Sequence, residues 1–167
     1  MSPVAKFCED ERGSAAAEMA LSVPLLLVLM FSTFELGNYF LSEHVVQKSV
    51  RDAARYGARL AMTNYPSCTV PSGGSAEQQI KNVARTGDPN GTTARLRGWV
   101  DANTAVTMSC PGTGTYANAG IYSDFPNGAP VITVTATVPY TTLFGALGLG
   151  ATTINLNAQS QAAVIGA

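Results

Sequence analysis

The chain has 167 residues, of which 46% are hydrophobic and only 13% charged, with a formal net charge of −1. That length fits one domain plus a membrane segment. The sparse, nearly balanced charge argues against nucleic acid as a partner.

Residues 1–13 end in the polar segment CEDERG, and the chain then turns apolar. From Arg12 to Leu41 it reads RGSAAAEMALSVPLLLVLMFSTFELGNYFL, with Glu18 and Glu35 the only acids after Gly13 and no charge between Ala20 and Phe34. As a helix, residues 14–41 would measure roughly 40 Å. A bilayer core of about 30 Å needs about 20 residues, so this stretch predicts a membrane-spanning helix in contact with inner-membrane lipid. Pro24 removes one backbone donor and predicts a bend there.

The junction at Gly13 carries more information than the hydrophobicity. A secretory signal peptide has its small residues after the apolar region, whereas here Gly13-Ser-Ala-Ala-Ala precedes it. This order resembles that of type IV prepilin-like proteins. The resemblance implies cleavage by a prepilin peptidase after Gly13, with Ser14 as the new first residue and Glu18 as the fifth. A carboxylate near lipid costs a few kcal/mol unless paired, and the new amine of a neighbouring subunit would pair it. The competing reading is a signal anchor whose first turn carries an acid that suits the helix dipole.

The helical pattern continues past the apolar run. Val46, Val50, Ala53, Ala54, Gly57 and Leu60 recur at 3–4 spacing, which predicts an amphipathic stem over 42–62. Arg51, Arg55 and Arg59 recur every fourth residue on another face, either as a partner-docking stripe or as a solvated face. Tyr65-Pro66 supplies the stop, so residues 14–62 would form one helix about 70 Å long. Lys48 and these arginines, set against Lys6 and Arg12, mildly favour an inside stem by charge count. Long domains translocate largely regardless of such charge, and the expected orientation keeps the N-terminus in the cytoplasm.

Residues 63–167 predict an extracytoplasmic α+β domain. Residues 76–86 form a helix with Ser75 as N-cap and Gly87-Asp88-Pro89 as its end; residues 93–101 suggest a second short helix. Alternation marks three strands, at 105–110, 131–138 and 152–164. One-sided strands need a single cover, and the stem is expected to supply it for a small antiparallel sheet. Between the strands, 111–130 is a turn-rich loop, either recognition element or plain connector. The connector 140–150, with Leu143 and Phe144, is apolar enough to be either tucked inward or a partner-contact patch.

The chain has three cysteines. Cleavage after Gly13 would discard Cys8 and leave Cys68 and Cys110, an even count that suits one disulfide in an oxidising compartment. Their loop of about 43 residues would be worth roughly 4 kcal/mol in the chain-entropy model. Two cysteines and His44, the single histidine, do not make a zinc site. The acids Glu43, Asp52, Glu77, Asp88, Asp101 and Asp124 are scattered, and no phosphate loop precedes a helix. No enzyme, metal, cofactor or small-molecule substrate is therefore expected.

Taken with the entry at Gly13, the segments FELGNYF, VVQKSVRDAARYGAR and PVITVTATVPYTTLFGALGL make the chain resemble a TadE-like pseudopilin, or minor pilin, of the tight-adherence (Flp) pilus. The position after the fifth-residue Glu is often aromatic in that family and is Met19 here. The resemblance implies a non-enzymatic role in pilus biogenesis, adhesion and surface attachment. Its implied partners are a prepilin peptidase, other pilins or pseudopilins and the assembly platform, at the bacterial inner membrane or in the fibre. Two other classes stay open: a permanently anchored assembly scaffold, and an envelope adhesin whose prepilin-like start is coincidental.

Overall fold

Helix α1 runs from Glu11 to Arg59, 49 residues without interruption. The computed structural model describes residues 11–112, 120–123, 128–142 and 154–166. The chain divides into two units, Met1–Asn38 and Tyr39–Ala167. The expected helix start at Ser14 is moved three residues earlier. Glu11 and Arg12 are good helix formers, and one Gly costs only about 1 kcal/mol inside a helix. The helix passes through Pro24, whose nitrogen has no hydrogen to give to the Ala20 carbonyl.

The second unit holds the remaining elements: α2 (Ser75–Thr86), β1 (Thr104–Ser109), β2 (Val131–Tyr140) and β3 (Ile154–Ala163). The strands form an antiparallel sheet in the order β1-β2-β3. Val134 of β2 lies opposite Val106 of β1 on one side and opposite Ser160 of β3 on the other. The predicted alternation holds in β2, where Ile132, Val134, Ala136 and Val138 are fully buried. In β3 Leu156 is buried, as is Val164 just past its end, while Asn155, Asn157, Gln159 and Gln161 are exposed. This is the α+β architecture expected from the alternation of the strands and the long helical pattern.

The stem half of α1 covers the buried side of this unit. Val46, Val50, Ala53, Ala54 and Ala58 join Ile80, Val83 and Ala84 of α2, the β2 side chains and Trp99 in one core. Each fully buried Val, Ile or Leu is worth about 1.5–3 kcal/mol relative to exposure. Small residues on the stem let the other elements approach closely. A Cβ on Gly57 would stand 2.7 Å from the Ile132 Cδ1 and 3.0 Å from the Ile80 Cδ1, so α1, α2 and β2 converge there.

α1 stops at Arg59 rather than at Met62, and its own carbonyls explain why. Continuing would require the amides of residues 61 and 62 to reach the carbonyls of Gly57 and Ala58. The Gly57 carbonyl instead accepts from the Tyr65 hydroxyl at 2.6 Å, and the Ala58 carbonyl accepts from the Ile165 amide at 2.8 Å. The C-terminal segment thus caps the helix from outside it. A side chain on Gly166 would collide with the Leu60 carbonyl, which fixes why the segment can lie so close.

Two further expectations are corrected. The N-cap of α2 is Gly74, not Ser75, and no side chain caps it; Glu77 instead accepts from the Gly73 amide at 2.6 Å. Residues 93–101 form no helix. Arg95 gives its amide to the Arg85 carbonyl at 2.8 Å, Gly98 takes a φ of +81°, and a 3-10 turn follows at Asp101–Asn103. Leu96 and Trp99 still face the core as expected, whereas Val100 is exposed.

Gly57 offers a direct test of this packing. Gly57→Ala is expected to be near neutral, because about 1 kcal/mol of helix propensity offsets displacement of the flexible ends of Ile132 and Ile80. Gly57→Leu is expected to cost about 1–3 kcal/mol, seen as a lower urea midpoint. A Leu variant as stable as the parent would show that the elements do not converge at Gly57.

Candidate functional site

The candidate site is the N-terminal part of α1. Residues 13–34 are exposed throughout, Leu21 to 81% and Leu25 to 62%. The apolar window has a mean hydropathy of 1.9, and none of it is buried by the described residues. Such a surface in water would be an aggregation liability, whereas in lipid it is the solvent-matched face. The hydroxyls inside the run are satisfied on the helix itself. Ser22 donates to the Glu18 carbonyl at 2.8 Å, Ser32 to the Val28 carbonyl at 2.7 Å and Thr33 to the Met30 carbonyl at 2.7 Å. Polar groups that need no outside partner suit a lipid environment. One helix of this length and composition is consistent with a single-pass membrane anchor.

Gly13, Ser14 and Glu18 lie on this exposed helix. Among the described residues nothing stands within 4 Å of the place a Gly13 side chain would occupy, so their packing does not require the glycine. The structure brings Gly13 and Glu18 onto one element within two turns. Leu143 and Phe144 lie outside the described residues.

The cysteines Cys68 and Cys110 are joined, with Cα atoms 6.1 Å apart. The bond ties the 3-10 turn Pro66–Cys68, just past the stem, to the residue following β1. Ser67 and Cys68 both take positive φ, +53° and +59°, a conformation that costs an L-residue roughly 1–2 kcal/mol. Tyr65 anchors the same turn in the core at 4% exposure. Its phenol is pushed up to about 12, mainly by burial and further by the neighbouring Tyr56.

Arg51, Arg55 and Arg59 are exposed and form no ion pair among the described residues, where the two salt bridges are Lys81–Glu77 and Arg85–Asp101. Two anchoring contacts were not visible in the sequence. Arg95 donates to the Ser49 hydroxyl at 2.9 Å, reaching the stem across the end of α2. Trp99 donates from its indole nitrogen to the Thr104 hydroxyl at 3.0 Å. Ser49, which is fully buried, had one signal in the sequence, its place directly beside Val50 of the apolar stripe.

Residues 13–55 match the family model described as TadE-like protein. This segment is TadE-like. The match begins on Gly13 and ends one turn before α1 does, so the likeness lies in the long helix. No curated protein and no solved structure matches the chain.

Tyr65 gives this region a pH signature. Its folded value lies above the ordinary phenol value of 10, so the unfolded chain ionises first. Stability is then full below about pH 10 and falls as pH rises toward 12. Tyr65→Phe is expected to lose about 1 kcal/mol at pH 7 and to show a shallower alkaline decline. Parallel declines of parent and variant in urea midpoints across that range would refute the assignment.

Proposed function

We propose that the chain is a non-enzymatic minor pilin, or pseudopilin, of a Tad pilus, cut by a prepilin peptidase between Gly13 and Ser14. The observation that carries this reading is the coincidence of three features on one element. The TadE-like match starts on Gly13, the Gly13 side has open space around it, and an apolar run bare of protein follows. A glycine that no described residue packs against, held inside a helix at about 1 kcal/mol, fits an external requirement. A peptidase that binds extended backbone would impose one.

In this reading residues 1–13 are the leader, 14–41 the membrane helix bent at Pro24, 42–62 the stem and 63–167 the outer domain. The N-terminus lies in the cytoplasm and the disulfide in an oxidising compartment outside. Cleavage creates an amine at Ser14 about one turn from Glu18. A neighbouring subunit offset along the fibre brings its own amine to that carboxylate, relieving the few kcal/mol a lone charge near lipid costs. Assembly with other pilins on the platform is then favoured only after the cut, and the fibre's contribution to adhesion and surface attachment follows from assembly.

Gly13→Leu is expected to accumulate at precursor size in the native host, and mature-sized Leu variant would refute the cleavage assignment. Glu18→Ala is expected to be processed normally yet to be lost from sheared fibres. Wild-type incorporation of the Ala variant would leave Glu18 as a helix N-terminal charge alone. For the outer location, Cys68 and Cys110 are expected to resist alkylation until reductant is added. Rapid modification of both thiols in untreated protein would count against it.

A further inference from the structure

We propose that the edge of β3, which no other strand pairs among the described residues, is a docking site for an extended segment of another protein chain that carries carboxylates on its stem-facing side. This assignment is independent of the pilin reading, since it rests on the second unit alone.

The edge is defined by hydrogen-bond phase. In an antiparallel pair, opposed residues alternate between bonded and non-bonded pairs. The Val164 amide donates to the Pro130 carbonyl at 2.8 Å, so the even-numbered residues of β3 bond to β2. Pro139 provides an independent check. It has no N–H to give and lies opposite Asn155, which requires that pair to be non-bonded. Asn155, Asn157, Gln159, Gln161 and Ala163 therefore turn their N–H and C=O groups away from β2. Among the described residues none of these groups has a backbone partner.

The two edges of the sheet differ. β1 is six residues long and α2 lies beside it. β3 is ten residues, INLNAQSQAA, with no charge and no proline. Exposed edges are ordinarily protected by Lys, Pro, bulges or shortness, and β3 has none of these within its span. A long, unprotected edge is a template for strand addition.

The surroundings of the edge select the occupant. A groove of about 260 Å³ lies between Gln47 and Arg51 of the stem and residues 157–160 of β3. Drug-sized ligands use pockets of about 300–1,000 Å³, so this open groove fits side chains of an added strand better than a small molecule. Arg51 lines it, and Arg55 and Arg59 continue the exposed cationic row along the stem. A second copy of this chain docked through the same edge would bring its own Arg51 toward this one, a like-charge opposition that disfavours self-pairing. A strand with acids on alternate residues answers the unpaired cations instead.

The probe is a synthetic peptide of roughly ten residues alternating Val and Glu, titrated into the full-length protein in neutral detergent and followed by fluorescence anisotropy and amide exchange. Binding is expected that weakens with salt and protects the amides of Asn155, Asn157, Gln159 and Gln161. The matching Val–Lys peptide is expected not to bind. Gln159→Pro removes one outward donor without touching the β2 ladder, and Arg51→Glu reverses the groove charge while remaining exposed. Each should weaken binding at least about tenfold, with Ala105→Thr, exposed on β1 beyond the central strand, as an unaffected control. Equal binding of the acidic and basic peptides, or unchanged affinity in Arg51→Glu, would overturn the proposal. So would slow exchange of the outward amides before any peptide is added, or a dimer in sedimentation that Gln159→Pro abolishes, which would assign the edge to this chain itself.

Discussion

The structure depends on a close approach at the end of α1. Gly57 brings the stem against Ile132 and Ile80, and the carbonyls of Gly57 and Ala58 bond to Tyr65 and Ile165. These contacts do two things at once. They end the helix at a defined residue, and they attach the last strand's continuation to the stem. The remaining core follows from that attachment, because β2 lies between β1 and β3 and buries its face against the same stripe of Val46, Val50, Ala53 and Ala54.

Peripheral contacts then fix what the stripe leaves loose. Arg95 spans the C-terminal end of α2, where Gly87 takes a φ of +87° and leaves no room for a side chain beside the guanidinium. From there it reaches the buried Ser49. Asp101 pairs with Arg85 at 2.9 Å and accepts from Gln78 at 2.9 Å, holding the 3-10 turn before β1 to α2. The ion pair is half-buried, with its two contacting atoms shielded from solvent. These contacts set direction more than stability, by deciding where β1 enters the sheet. The Cys68–Cys110 bond acts on the unfolded chain, removing loop entropy across 42 residues of separation.

Periodic features were legible in the sequence, and singular contacts were not. The stem stripe and the alternation in β2 repeat over several turns or residues, so their burial could be read from spacing alone. The 93–101 segment has a helix-like face in Leu96 and Trp99, but Gly98 at positive φ and the Arg95–Arg85 backbone bond override it. The end of α1 was missed for a related reason. Tyr65 takes the Gly57 carbonyl from six residues beyond the helix end, and a segment more than a hundred residues later supplies Ile165 to take that of Ala58. Tertiary competition for a backbone acceptor leaves no local trace. At the candidate site the apolar run and the Gly13 junction were visible, because each is a short contiguous stretch of sequence.

One helix thus meets two different demands along its length, and its composition changes accordingly. In the first unit the side chains are long and apolar, and the few hydroxyls return to their own backbone. A surface of that kind is specified by transfer free energy and tolerates many arrangements of Leu, Val, Met and Phe. In the stem the inward residues become Val, Ala and Gly, because protein neighbours require shape as well as polarity. The outward residues become Lys and Arg, which keep that face in water. The change falls where the two units divide, between Asn38 and Tyr39. Tyr39 stacks edge-on against Tyr140 with ring centroids 5.3 Å apart. An aromatic pair at that position suits a boundary between apolar and aqueous surroundings, since each ring offers an apolar body and a polar tip.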